Sequence, residues 1–144
     1  KSKDKDDDNA MFRTREDYYY ELGNARLTLA LDDTIVQHFL DNQLAFEKLK
    51  DLAIREQDSA AAETKGRTNL LREHKESYRK LFISSVYSYD SKLAVILDFR
   101  IGGMIDNTVG YFYTNDKNSL PRMSSREYIM IREIGEGWYI YKTT

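Results

Sequence analysis

Asp98 and Arg100 are the residues best placed to do chemistry. They sit two residues apart in LAVILDFRI, a run whose alternation is that of a strand, so both side chains fall on one face while Val95, Leu97, Phe99 and Ile101 share the other. A carboxylate and a guanidinium set side by side among apolar neighbours have two roles open to them. They can form an ion pair on an exposed sheet face, or the carboxylate can anchor a ligand or act on one. The chain has only two histidines. His38 stands three residues before Asp41, a spacing at which a metal or a proton could be shared on a helix. Zinc, however, normally takes three or four protein ligands, so a solvated pair on the outer face of that helix is expected. His74 falls on the inward stripe of a later amphipathic segment, as a half-buried histidine. Glu73, Glu76, Glu133 and Glu136 stand in charged, exposed-looking contexts that do not single them out for chemistry.

The chemistry that is absent is equally informative. With no cysteine among 144 residues, the chain has no thiolate nucleophile, disulfide, iron–sulfur cluster or cysteine-bound zinc. There is no G-x-S-x-G elbow, P-loop, Rossmann glycine pattern or H-E-x-x-H. No cofactor and no metal are expected. The formal charge of -2, with Lys and Arg interspersed among Asp and Glu, provides no field that would gather nucleic acid. No apolar run approaches the roughly 20 residues that cross a bilayer as a helix.

The elements that must position these groups follow from periodicity. Residues 1–10 are almost wholly polar and are expected to be a disordered tether, leaving residues 11–144 as one α+β domain. A short helix over 11–22 is expected to end at Gly23-Asn24. The alternation of Leu27, Leu29 and Leu31 reads either as a strand or as the first turns of the next helix. Thr34 and Gln37 have capping-box spacing, so a long helix is expected over about 32–57, with Ile35, Val36, Phe39, Leu40, Leu44, Phe46, Leu49, Leu52, Ala53 and Ile54 as its apolar stripe. Residues 58–69 read as a connector containing Gly66, and a second amphipathic helix follows over about 70–81. The period then falls from 3.6 to 2. Strands are expected at 83–89, 93–101 and 108–114, and a terminal hairpin joins 128–134 to 138–142 through Gly135-Glu136-Gly137. Short links make these neighbours antiparallel, giving a curled meander of about five strands with the helices on one face.

The strand half is rich in rings. Trp138 and Ile140 point to one face of the hairpin while Tyr139 and Tyr141 point to the other. One sheet face must take the helices; the other is either wet, with tyrosine hydroxyls outward, or a binding surface. Tyr111, Tyr113, Tyr139 and Tyr141, with Asp98 and Arg100, are the candidate binding residues. Gly110 in mid-strand leaves room for a bulky neighbour to lie across the backbone, and Trp138 is the expected occupant.

The segments Gly110-Tyr111-Phe112-Tyr113 and Gly137-Trp138-Tyr139-Ile140-Tyr141, with Tyr128 and the upstream FEKL and YRKLF, resemble small bacterial secreted or lipid-anchored envelope proteins that end in G-Y-x-Y and G-W-Y-x-Y strands. The resemblance covers about residues 32–144 and carries no catalytic residue. It implies a cell-envelope or secreted location, with a membrane reached only through a lipid anchor upstream of a hydrophilic spacer. The leading expectation is therefore a non-enzymatic envelope domain that binds a protein or cell-surface partner. A cup of the nuclear-transport-factor-2-like kind around a small apolar ligand is the runner-up, and an immunity or inhibitor protein comes third.

Overall fold

The computed structural model describes residues 14–60, 67–89, 94–104 and 107–144. The expected tether, the first residues of the N-terminal helix, Gly66, the Asp90-Ser91-Lys92 turn and part of the 102–107 turn lie outside them. Helices and an antiparallel sheet make the α+β class expected.

Helix α1 (Arg15–Thr28) begins at Thr14, whose hydroxyl accepts from the Asp17 N–H at 3.1 Å. It runs straight through Gly23-Asn24, where a stop was expected, and it takes in residues 25–28 of the stretch read as a possible strand, leaving Leu29 and Leu31 in the link to the next helix. Both residues are used for packing instead. A Cβ on Gly23 would lie 2.2 Å from the Phe82 ring. The Asn24 amide donates to Phe82 O at 2.8 Å and to Ile101 O at 2.7 Å, tying the helix to the sheet.

The single long helix expected next is two. Helix α2 (Asp32–Asp41) and helix α3 (Gln43–Ala60) meet at Asn42, whose side-chain amide takes the carbonyl of His38 at 2.8 Å while its backbone N–H turns to Phe39 O. That exchange breaks the i to i−4 ladder and bends the axis. The bend divides the apolar stripe: Ile35, Phe39, Phe46, Leu49 and Ala53 are buried, whereas Leu40 and Leu44 stay 47% and 81% exposed. The capping box does not form either. α2 starts two residues before Thr34, at an extended Leu31 without a side-chain cap, and Gln37 donates to Asp41 instead.

The helix expected over 70–81 is reduced to a 3₁₀ turn (Arg72–His74) and α4 (Lys75–Arg79), because Thr68–Leu70 forms strand β1. Leu71 turns the chain with φ 58°, its N–H held by the Glu56 carboxylate at 2.6 Å. Phe82, also at φ 58°, closes α4 with bonds from Phe82 N to Arg79 O and from Ile83 N to Tyr78 O. This is the Schellman pattern with a phenylalanine where glycine is usual. The strain of a bulky residue there, on the order of 1 kcal/mol or more, is offset by the ring it lodges between Gly23 and His38.

The sheet has six strands in the order β1-β2-β3-β4-β6-β5, with β2 (Ser85–Ser88), β3 (Ile96–Met104), β4 (Asn107–Thr114), β5 (Tyr128–Gly135) and β6 (Trp138–Thr143). The terminal hairpin is inserted the other way round from a simple meander, since β6 and not β5 lies against β4. Because β6 is antiparallel to both, β4 and β5 run parallel, and residues 115–127 must cross β6 to join them. Leu120 of that link packs on Phe112, Tyr139 and Tyr141, so the link lies on the face away from the helices.

The helices bury the other face. Phe39 and Phe46 sit ring to ring with Tyr111 and Trp138 at 5.0–5.9 Å between centroids, and Phe99 completes the layer. Trp138 is wholly buried, and its indole N–H donates to Glu47 Oε1 at 2.8 Å. Glu47 is paired in turn with Lys50 at 2.6 Å.

Candidate functional site

Two residues apart on β3, Asp98 and Arg100 face away from the helices and form an ion pair at 3.1 Å. The carboxylate is not solvated, as an exposed face would leave it: Asp98 is only 1% exposed, while the Arg100 side chain keeps 27% of its surface open. Its carboxylate is fully engaged. Oδ1 accepts from the Tyr141 hydroxyl at 2.5 Å, and Oδ2 accepts from Tyr89 and from Arg100, both at 3.1 Å. Burial pushes the Asp98 pKa up, and those three donors oppose it. Burial likewise pushes the Tyr141 and Tyr89 hydroxyls up, reinforced by the Asp98 charge, so both remain donors.

Glycine explains how Tyr141 arrives there. On β6 it stands opposite Gly110 of β4, and Asp98 lies one strand further on, diagonally displaced. A Cβ on Gly110 would meet the Tyr141 ring and hydroxyl at 2.9 Å, so the missing side chain is what lets the ring lie across the strand. The occupant is therefore Tyr141 and not Trp138, which the parity of β6 sends to the helix side. Phe112 stacks on the Tyr141 ring at 4.1 Å, and Tyr128 closes over both.

The expected binding set is divided by the sheet. Asp98, Arg100, Tyr139 and Tyr141 share the outer face, Tyr139 packing under the crossing link. Tyr111 and Tyr113 lie on the helix side. Tyr111 is fully buried, donating to Ile35 O at 2.6 Å, and Tyr113 packs on Trp138 with Lys50 5.0 Å above its ring. Neither belongs to an outer binding surface, because strand alternation sends residues 111 and 113 inward once Phe112 faces out. No open cup lies between helices and sheet at Phe99, Tyr111 and Trp138, where Phe39 and Phe46 fill the space.

The histidines change places relative to expectation. His38 is half-buried against Phe46 and Phe82, with Nε2 2.8 Å from Leu81 O, since the bend at Asn42 and the Phe82 turn close over it. Burial lowers its pKa. His74 is exposed on the 3₁₀ turn that replaced the expected helix, and it is not a partner of Asp98. Among the described residues no group of three or more His, Asp or Glu is placed to hold a metal ion. Clefts of about 630 and 560 Å³ open on either side of Phe82, away from Asp98.

What the reading of single strands missed is the other half of the outer face. Arg67, just before β1, places its guanidinium 4.3 Å from the centre of the Tyr87 ring, and Arg100 lies 5.1 Å from the same ring. Tyr87 pairs with Asn69 on one side and Asp98 on the other, so Asn69, Tyr87 and Asp98 form one outward row. The signal was the alternation of Tyr87 and Tyr89, legible only once β2 was known to lie beside β3. Among the described residues no helix is long and apolar enough to cross a membrane. Comparison with protein-family models, with curated proteins and with solved structures returns no match.

Proposed function

We propose that this chain is a non-enzymatic binding domain of the cell envelope, or a secreted one, that holds a partner on the outer face of strands β1 to β3. The observation that carries the reading is the division of that face. Over β4 and β6 the rings of Phe112, Tyr139 and Tyr141 are buried with Leu120 of the 115–127 link packed on them, while over β1 to β3 an exposed Arg67 just before β1, the half-buried Tyr87 and Arg100 on their strands and the half-buried Tyr89 just after β2 are presented. Aromatic and arginine side chains fixed in this way give large contact area at little entropic loss. The carboxylate that chemistry would call upon, Asp98, has both oxygens engaged by Tyr141, Tyr89 and Arg100, which supports a supporting role for it over a reactive one. The envelope location is supported by the resemblance of the aromatic strands alone.

A photo-reactive phenylalanine analogue placed at position 87, at exposed Leu44 and at covered Tyr139 tests the reading in living cells. A discrete adduct is expected from position 87 only, and it should disappear when Arg67→Ala is added. An adduct pattern at 87 no different from that at 44, or one indifferent to Arg67, overturns it.

A further inference from the structure

Charge bookkeeping on the β1–β3 face says what kind of partner it fits. Arg100 gives one end of its guanidinium to Asp98, which cancels its charge, and its Nε–H is left buried with no acceptor among the described residues. Arg67 is exposed and lies over Tyr87 with no carboxylate partner among the described residues. Among the described residues, then, one guanidinium without a carboxylate is held beside the half-buried rings of Tyr87 and Tyr89, with the exposed Asn69 amide in the same row.

Phosphate polymers, nucleic acids and anionic bilayers are held by several cations acting together, each adding about one phosphate contact or about 1 kcal/mol near a surface. A single free cation among the described residues of this face, on a chain of net charge -2, does not supply that. It does suit one carboxylate, which matches the planar fork of arginine, flanked by an apolar or aromatic group that lies on the tyrosines. We infer that the partner of this face is a protein segment presenting a glutamate or aspartate next to a large apolar side chain. This rests on the reading of β1 to β3 as the binding face.

The probe is the peptide acetyl-Gly-Glu-Trp-Glu-Gly-amide, titrated into the isotope-labelled full chain and followed by amide chemical shifts, with acetyl-Gly-Gln-Trp-Gln-Gly-amide as its neutral twin. The acidic peptide is expected to shift residues 67–70 and 85–89 saturably. Replacing it by the neutral twin, or introducing Arg67→Ala, should weaken binding about tenfold, the scale of one charge-assisted contact. Equal binding of both peptides at these strands overturns the acidic partner and leaves the binding face standing. Silence of these strands toward both peptides overturns the two readings together. Tighter binding of polyphosphate than of the acidic peptide at physiological salt overturns the protein partner in favour of a polyanion.

Discussion

Replacing Tyr141 by phenylalanine isolates one bond at the centre of the outer face. The ring would stay stacked on Phe112 at 4.1 Å and across Gly110, so packing is conserved and only the hydroxyl is lost. That hydroxyl donates at 2.5 Å to a carboxylate that, like Tyr141 itself, is 1% exposed. Asp98 Oδ1 would be left bare in a place water does not reach, and the cost of losing a bond to a buried charge is roughly 1.5–3 kcal/mol. The loss has a pH signature. Burial holds the Asp98 pKa above its unfolded value of 3.8, so the folded chain binds this proton more readily. The site's contribution to stability is therefore fully present below the unfolded pKa and is lost as pH rises through the folded one. Tyr141 works against that loss by stabilising the ionised form, so its removal raises the Asp98 pKa further. Urea melts of wild type and Tyr141→Phe from about pH 4 to pH 8 should show a deficit that is greatest at neutral pH and shrinks on acidification. A titration of the Asp98 side-chain carbon should move upward in the variant. A deficit under about 0.5 kcal/mol at neutral pH, or one that does not change with pH, refutes the account.

Gly110→Ala should be worse than its size suggests, because the new methyl meets Phe99 O at 2.7 Å and displaces Tyr141 from Asp98; roughly 2–5 kcal/mol is expected in urea melts, and a neutral result would mean that Tyr141 does not need that space. Trp138→Ala removes a wholly buried ring that touches Phe39, Phe46 and Phe99 and should cost about 3–5 kcal/mol, with a loss under about 1 kcal/mol removing it from the core. Burial lowers the His38 pKa below its unfolded 6.5, so its contribution is present above that value and is lost as pH falls through the folded pKa. The variant His38→Gln, which has no such proton to take up, should thus flatten the fall in stability between about pH 7 and pH 5, and an unchanged slope would exclude His38 as its source.

How much of the fold was legible depends on how local each signal is. The hairpin turn at Gly137, with φ 78°, and the opposed directions of Trp138 and Tyr141 were readable from adjacent residues, because alternation and turn chemistry act within a few positions. The same holds for Ile35, Phe39 and Phe46 as an inward stripe. The bend at Asn42 was not legible, since asparagine in a helical pattern is unremarkable until its amide takes His38 O. Nor was the continuation of α1 through Gly23, which depends on a ring far along the chain, that of Phe82.

The sequence by itself determined that amphipathic helices shield one side of an antiparallel sheet, that the sheet carries rings on both faces, and that thiol chemistry is excluded. Only the tertiary structure decided that β6 lies between β4 and β5. That single choice of partner carries residues 115–127 across the outer face, brings Tyr141 over Gly110 to Asp98, and leaves β1 to β3 as the open part. Strand order is set by pairings between distant segments, whose energies depend on register and loop closure, whereas periodicity records only which side of its own strand each residue occupies.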